Sequence, residues 1–335
     1  MANNFQNISI PFNIISIYRA ELMGCAIFGV LWGHLMNETW QPVIFSQIAR
    51  LIHTAGFIFL SGFGLYYAFR KNSNIKHFYT RRLTRILIPF ILLTYWFFIV
   101  AFAYGEDSPI KFITNLTATS FWFYGESGSW AMWYVSATIL LYILFPALFY
   151  ILFANNKPVL GLFYICIFYI VALSVLAYFC PLYWQNTRIF FARFIMFPLG
   201  MFAGYLSANA RQASLGQICL YFIGCFILAF AAKLWIDDEI YSVLRTLIGL
   251  PVIAIILHCI NKWNWTKIII FTPLKFLGVY SYELYLMHVM IFYLCQRIIG
   301  LSSAISMSIG IALALLLCVP VQRLINLLQN KLQHD

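Results

Sequence analysis

The residues able to do chemistry are few and sit in apolar surroundings. Between Tyr18 and His34 the chain carries Arg19 at one end and His34 at the other, with Glu21 the only other charged side chain. On a helix, the step from Arg19 to His34 spans roughly 22 Å, which puts a cation and a proton acceptor at opposite depths. Gly24, Gly29 and Gly33 leave room beside them for a neighbouring helix or a slender ligand. The plainer reading has Arg19 reaching to a membrane interface and His34 hydrogen-bonding between helices. Farther on, Arg82 and Arg85 are i,i+3 neighbours, so two guanidinium forks point the same way, as suits phosphate groups. A cytoplasmic anchor reads equally well there. Glu283 and His288 are ionisable residues in an apolar run, but five positions apart they do not share a helix face. Ser61 lacks a lipase-type Gly-x-Ser-x-Gly elbow and is a poor nucleophile candidate. His53, Trp130 and Trp133 could line an outer mouth, although tryptophan is also expected at a membrane interface.

The elements that position these groups follow from composition. With 63% hydrophobic and 9% charged residues, and a mean hydropathy of +0.86, the chain is far from the balance of a water-soluble domain. Candidate spans fall near residues 20–36, 51–69, 86–104, 131–152, 159–180, 190–208, 215–233, 242–260, 276–296 and 304–326. The runs are continuous instead of alternating, which selects helices over barrel strands. The fold class is therefore all-α: a polytopic transmembrane helical bundle of about ten spans, with residues 1–335 forming one membrane-embedded domain.

Charge sets the orientation. Arg70, Lys71, Lys76, Arg81, Arg82 and Arg85 lie between spans two and three, which makes that loop cytoplasmic and, with an even span count, both termini cytoplasmic. Fourteen basic residues then fall inside and seven outside. The formal charge of +11 is thus a topology signal and a contact with anionic lipid of the bilayer, not a sign of nucleic acid. The eight cysteines form no CxxC pair and have no suitably spaced histidine, so no metal site is expected. The stretch from about 105 to 130, rich in Gly, Ser, Thr and aromatics, is expected to fold back over the bundle as a partly ordered loop.

Several short motifs occur in a telling order. The first span bears His34; Phe-Leu-Ser-Gly-Phe (59–63) ends the second; Phe-Tyr-x-Arg-Arg-x-x-Arg-Ile-x-Ile-Pro (78–89) opens the third. Trp130 to Tyr134 precede Leu-Phe-Pro in the fourth, Phe-Pro-Leu-Gly-Met-Phe-x-Gly (197–204) lies in the sixth, and Ser281-Tyr282-Glu283-Leu284-Tyr285-Leu286-Met287-His288 in the ninth. In this order they resemble the acyltransferase 3 family of bacterial inner-membrane proteins that acylate glycans. The resemblance implies an acyl-CoA-dependent membrane O-acyltransferase. Acyl-CoA, first of all acetyl-CoA, would be a co-substrate, and no cofactor would be permanently bound. A carbohydrate hydroxyl would be the acceptor, and homo-oligomers are left open. The family's histidine corresponds to His34 and its Arg-x-x-Arg pair to Arg82 and Arg85, while His288 and Trp133 are candidates for binding substrate. The family's first span also carries Arg-x10-His, and ten intervening residues before His34 put Met23 where that arginine would stand. Arg19 is one turn earlier, on nearly the same face, and is the candidate to fill that role.

Acyl transfer to a hydroxyl needs a base, help for the oxyanion and exclusion of water. The expected arrangement has His34 as the base, with Arg19 or a nearby polar group stabilising charge. Arg82 and Arg85 hold coenzyme A phosphates at the cytoplasmic mouth. Two other classes remain in view: a glycan transporter or flippase, since buried charge and Gly/Pro breaks also suit a substrate pathway, and a structural membrane protein in which His34 and Arg82 are replaceable.

Overall fold

A computed structural model describes residues 9–38, 52–130, 132–235, 238–261 and 263–334; Lys262, one of the fourteen basic residues counted inside, lies outside the described residues. The apolar runs are α-helices, labelled α1 (Arg19–Glu38), α2 (Thr54–Lys71), α3 (Ile75–Ala103), α4 (Trp133–Phe153), α5 (Pro158–Phe179), α6 (Pro181–Phe194), α7 (Met196–Ala208), α8 (Leu215–Trp235) and α9 (Asp238–Ile260). They are followed by α10 (Thr272–Val279), α11 (Ser281–Tyr293) and α12 (Ser303–His334). Among the described residues six helices are long and apolar enough to cross a membrane, or seven if a bent pair counts as one span. The protein is thus a helical membrane protein. α5 makes the solvent plain: Phe163, Ile167, Phe168, Val171 and Val175 are all exposed along it, a stripe that water would not tolerate.

α1 and α2 are not among those six. Arg19, Glu21 and His34 lower the hydropathy of α1, as do Thr54, Ser61 and three glycines that of α2. The physical reason is position: α2 is buried along most of its length, so protein rather than lipid surrounds it. The ninth predicted span, 276–296, differs more sharply. Residues Asn264–Val279 and Ser281–Ile298 form two helical stretches bent by 72° at Tyr280, each containing a π-helical segment, Lys267–Phe271 and Leu294–Ile298. Beyond the all-α expectation, strand β1 (Ser9–Pro11) pairs antiparallel with β2 (Gln212–Ser214), tying the N-terminal segment to the connection between α7 and α8.

Two glycine contacts bring helices to backbone distance. A Cβ on Gly24 would overlap the Leu274 carbonyl, and one on Gly278 the Ala20 carbonyl, so α1 and α10 cross with nothing between them. A Cβ on Gly62 would likewise meet the Phe197 carbonyl, and one on Gly200 the Phe59 carbonyl, locking α2 to α7. The sequence motifs around residues 59–63 and 197–204 are thus the two halves of one helix contact. Gly278→Leu is expected to destabilise the bundle by about 3 kcal/mol or more through backbone separation; thermal unfolding of the purified protein checks it, and an unchanged midpoint contradicts the contact.

The segment 105–130 does fold back, on two short helices, Pro109–Leu116 and Ser120–Gly128. Buried Asp107 organises it, accepting from Trp130 Nε1 at 3.0 Å and Asn115 Nδ2 at 2.8 Å and pairing with Lys111 at 2.8 Å. Both Trp130 and Trp133 are buried, and neither is an interface anchor.

Candidate active site

Arg19, Arg82 and Arg85 come together on one cavity of about 1050 Å³ enclosed by α1, α2, α3, α4, α10, α11 and α12. Arg81 and Lys275 add to its basic wall, and Met23 lines it as well. The one-turn displacement of the arginine in α1 therefore leaves both positions, 19 and 23, on the same cavity. Arg19 is held from α2: Nη2 donates to the Leu60 carbonyl at 3.1 Å, and a Cβ on Gly64 would come within 2.7 Å of that nitrogen. The stretch Leu60 to Gly64 is a seat for this guanidinium. Ser61 lines the cavity beside it.

Like charges here are not neutralised by the protein. Among the described residues none of Arg19, Arg82 or Arg85 has a carboxylate within 4 Å, although Glu21 lines the same cavity. Arg19 instead feels the positive charges of Arg85 and Arg82. Guanidinium groups converging in a half-enclosed space without counter-ions make a site for a multiply charged anion.

The histidines form a separate pair. His34 on α1 and His288 on α11 have ring centroids 5.3 Å apart at an edge-on angle of 61°, and neither lines the basic cavity. His288 is fully buried, with Nδ1 2.7 Å from the Leu284 carbonyl. A carbonyl oxygen only accepts, which assigns a hydrogen to Nδ1 and leaves the neutral ring's Nε2 with its lone pair. That nitrogen has no hydrogen-bond partner among the described residues. The five-residue spacing that separates Glu283 from His288 is thus no obstacle, because His288 meets His34 and Glu283 turns to the cavity.

Three rings stand between the two centres. Phe57, Tyr134 and Tyr285 line the cavity, with centroids 5.9 Å apart for Phe57 and Tyr134 and 5.2 Å for Tyr134 and Tyr285; Tyr285 in turn lies 6.1 Å from His288. Trp133 does not line the cavity; it packs behind, against Tyr134 at 5.8 Å and beneath the Arg193 guanidinium at 5.7 Å. His53 stays at the start of α2, where Nδ1 lies 2.9 Å from Thr54 Oγ1.

Sequence reasoning missed much of the lining. Tyr282, whose hydroxyl donates to the Ile86 carbonyl at 3.0 Å, faces the cavity, as do Tyr67, Thr138 and Tyr142. So do Gln322, Asn326, Gln329 and Asn330 of α12. Their spacing, i, i+4, i+7 and i+8 in an apolar helix, is a one-sided polar stripe that the sequence did display. Among the described residues no cluster of metal-ligating side chains occurs.

Comparison with known families decides between the readings of this arrangement. The family model described as an acyltransferase domain matches residues 22–323, nearly the whole chain. The chain belongs to the acyltransferase 3 family. No curated protein and no solved structure matches it. Membership makes it a multi-pass membrane acyltransferase. The family match begins inside α1 and ends inside α12, so it contains His34, Arg82, Arg85, Glu283 and His288, while Arg19 and the cavity-lining Asn326, Gln329 and Asn330 lie just outside it.

Proposed function

We propose that this acyltransferase moves a small acyl group, acetyl first of all, from cytoplasmic acyl-CoA to a hydroxyl of a cell-surface or lipid-linked carbohydrate, as a ten-span protein of the bacterial inner membrane with both termini in the cytoplasm. The observation that carries the donor half is the set of guanidinium groups without counter-ions, Arg19, Arg82 and Arg85, around one cavity. Coenzyme A offers phosphates at one end, a flexible arm, and the thioester at the other. With the phosphates on Arg82 and Arg85, the arm points inward toward Phe57, Tyr134 and Tyr285, and the thioester must pass these rings to reach His34. Arg19 belongs in this reading to the donor pocket, together with Lys275.

His34 takes the proton of the acceptor hydroxyl. The hydroxyl oxygen bonds to the thioester carbonyl carbon, the carbon–sulfur bond breaks, and the proton held by His34 goes to the departing thiolate. His288 packs edge-on against His34, and its full burial helps keep out water that would hydrolyse the thioester. The acceptor is assigned to the far side of the three rings, with His288 and, behind Tyr134, Trp133.

A broken helix beside a cavity is also a feature of transporters, and the 72° bend at Tyr280 gives that reading its one observation. One experiment separates the two. Purified protein in lipid vesicles is given labelled acetyl-CoA and a panel of bacterial glycans. Labelled acyl-glycan, absent with His34→Ala, is the expected outcome, whereas movement of glycan across the vesicle without acylation overturns the proposal.

A further inference from the structure

Glu283 lines the donor cavity with its residue only 5% exposed, and among the described residues its Oε2 has no hydrogen-bond partner. No basic nitrogen lies within 4 Å of it among the described residues, and Arg85 acts on it only at longer range. It is the third residue of α11, just beyond the bend at Tyr280, between Tyr282, anchored on the Ile86 carbonyl, and Tyr285 of the ring layer. Leaving a desolvated carboxylate oxygen unpaired is costly in any protein. A negative group in a pocket for phosphates is a second cost, since it repels the same ligand.

Both costs are offset if the ligand brings a hydrogen-bond donor to that point. We infer that Glu283 is an acceptor for an N–H or O–H group on the uncharged arm of the ligand, between its phosphates and its reactive end. On the donor reading proposed above, on which this rests, the arm is pantetheine, and its amide N–H groups and hydroxyl are the donors. Glu283 then selects a thioester carrier with an amide-bearing arm over other phosphorylated compounds of similar charge. It is a specificity residue and takes no part in the chemical step.

The sign of the effect separates this role from a counter-charge for Arg85. Removing a counter-charge strengthens binding of every phosphate ligand, while removing an acceptor weakens only the ligand that carries the arm. The test uses the full chain in lipid nanodiscs and measures affinity for coenzyme A and for adenosine 3′,5′-bisphosphate, which has phosphates but no pantetheine. Glu283→Leu is expected to weaken coenzyme A about tenfold and to leave the bisphosphate unchanged or tighter. Should the leucine variant fail to fold, Glu283→Gln, which keeps an acceptor oxygen but loses the charge, is expected to weaken coenzyme A about threefold, again without weakening the bisphosphate. Coenzyme A binding that is unchanged or tighter in the variant, or an equal loss for both ligands, overturns the inference while leaving the donor pocket standing. Absence of coenzyme A binding to the unaltered protein overturns the donor reading and the inference with it.

Discussion

Replacing His34 by alanine is expected to lower the rate of acyl transfer about 10²–10⁴-fold, the usual contribution of a positioned general base, while coenzyme A affinity stays within about twofold, since His34 contributes no donor contact. The expectation follows from two separations. His34 and His288 face each other with rings 5.3 Å apart, and the guanidinium groups lie on a cavity that neither histidine lines, beyond Phe57, Tyr134 and Tyr285. A base acts on kcat; a phosphate clamp acts on donor binding. Parallel measurements of transfer rate and coenzyme A affinity check this. A His34→Ala protein that folds normally and still transfers at near the original rate contradicts the assignment. His288→Gln adds a finer reading: its amide can keep a hydrogen bond near Leu284 but cannot reproduce the edge-on ring contact with His34, so an intermediate loss in kcat is expected.

The double variant Arg82→Met, Arg85→Met carries the second large effect. Each charge-assisted contact to a phosphate contributes about 1.5–3 kcal/mol, so losing both is expected to raise the donor KM by about 10²-fold or more, with a smaller change in kcat at saturation. Methionine keeps most of each stem's volume, so packing changes little. Arg81→Met, on the same helix turn, serves as the comparison and is expected to have a weaker effect. Because among the described residues no carboxylate holds Arg82 or Arg85 in place, their removal is expected to strand no buried partner charge and to leave folding intact. Steady-state kinetics at varied acyl-CoA distinguishes the outcomes: a rise in KM supports the clamp, and a fall in kcat with unchanged KM contradicts it.

How much of this was legible in the sequence depended on whether a residue's role is local or arises where distant helices meet. Arg82 and Arg85 could be paired from an i,i+3 spacing alone, and the structure does bring them to one cavity. His34 could be singled out as an ionisable group in an apolar run. Its neighbour His288 could not, because the encounter depends on how α11 crosses α1, and spacing within α11 says nothing of that. The displaced Arg19 posed a question that periodicity left open: positions 19 and 23 share a face, but only the seat formed by the Leu60 carbonyl and Gly64 fixes where the guanidinium goes. That seat takes Arg19 to the basic cavity, which His34 does not line.

The bend at Tyr280 was hidden for a simpler reason. Phe276 to Met287 reads as one apolar stretch with no proline to break it, so a single span near 276–296 was the natural expectation. Gly278 is the residue that gives the break away in retrospect, because its backbone is pressed against Ala20 in α1. The paired strands at Ser9–Pro11 and Gln212–Ser214 are too short for any period to register. The buried polar residues of the segment 105–130 were hidden in the same way: Asp107 accepts from Trp130 and Asn115 and holds that segment on the bundle.

The most direct test of the central claim is a structure of the protein in nanodiscs with a non-transferable acyl-CoA analogue, such as an acetyl-CoA thioether. The account predicts phosphates within hydrogen-bonding distance of Arg82 and Arg85, the pantetheine arm passing Glu283, and the acyl end at the ring layer next to His34 and His288. Phosphates bound away from these arginines, or an acyl end directed away from the two histidines, would contradict it.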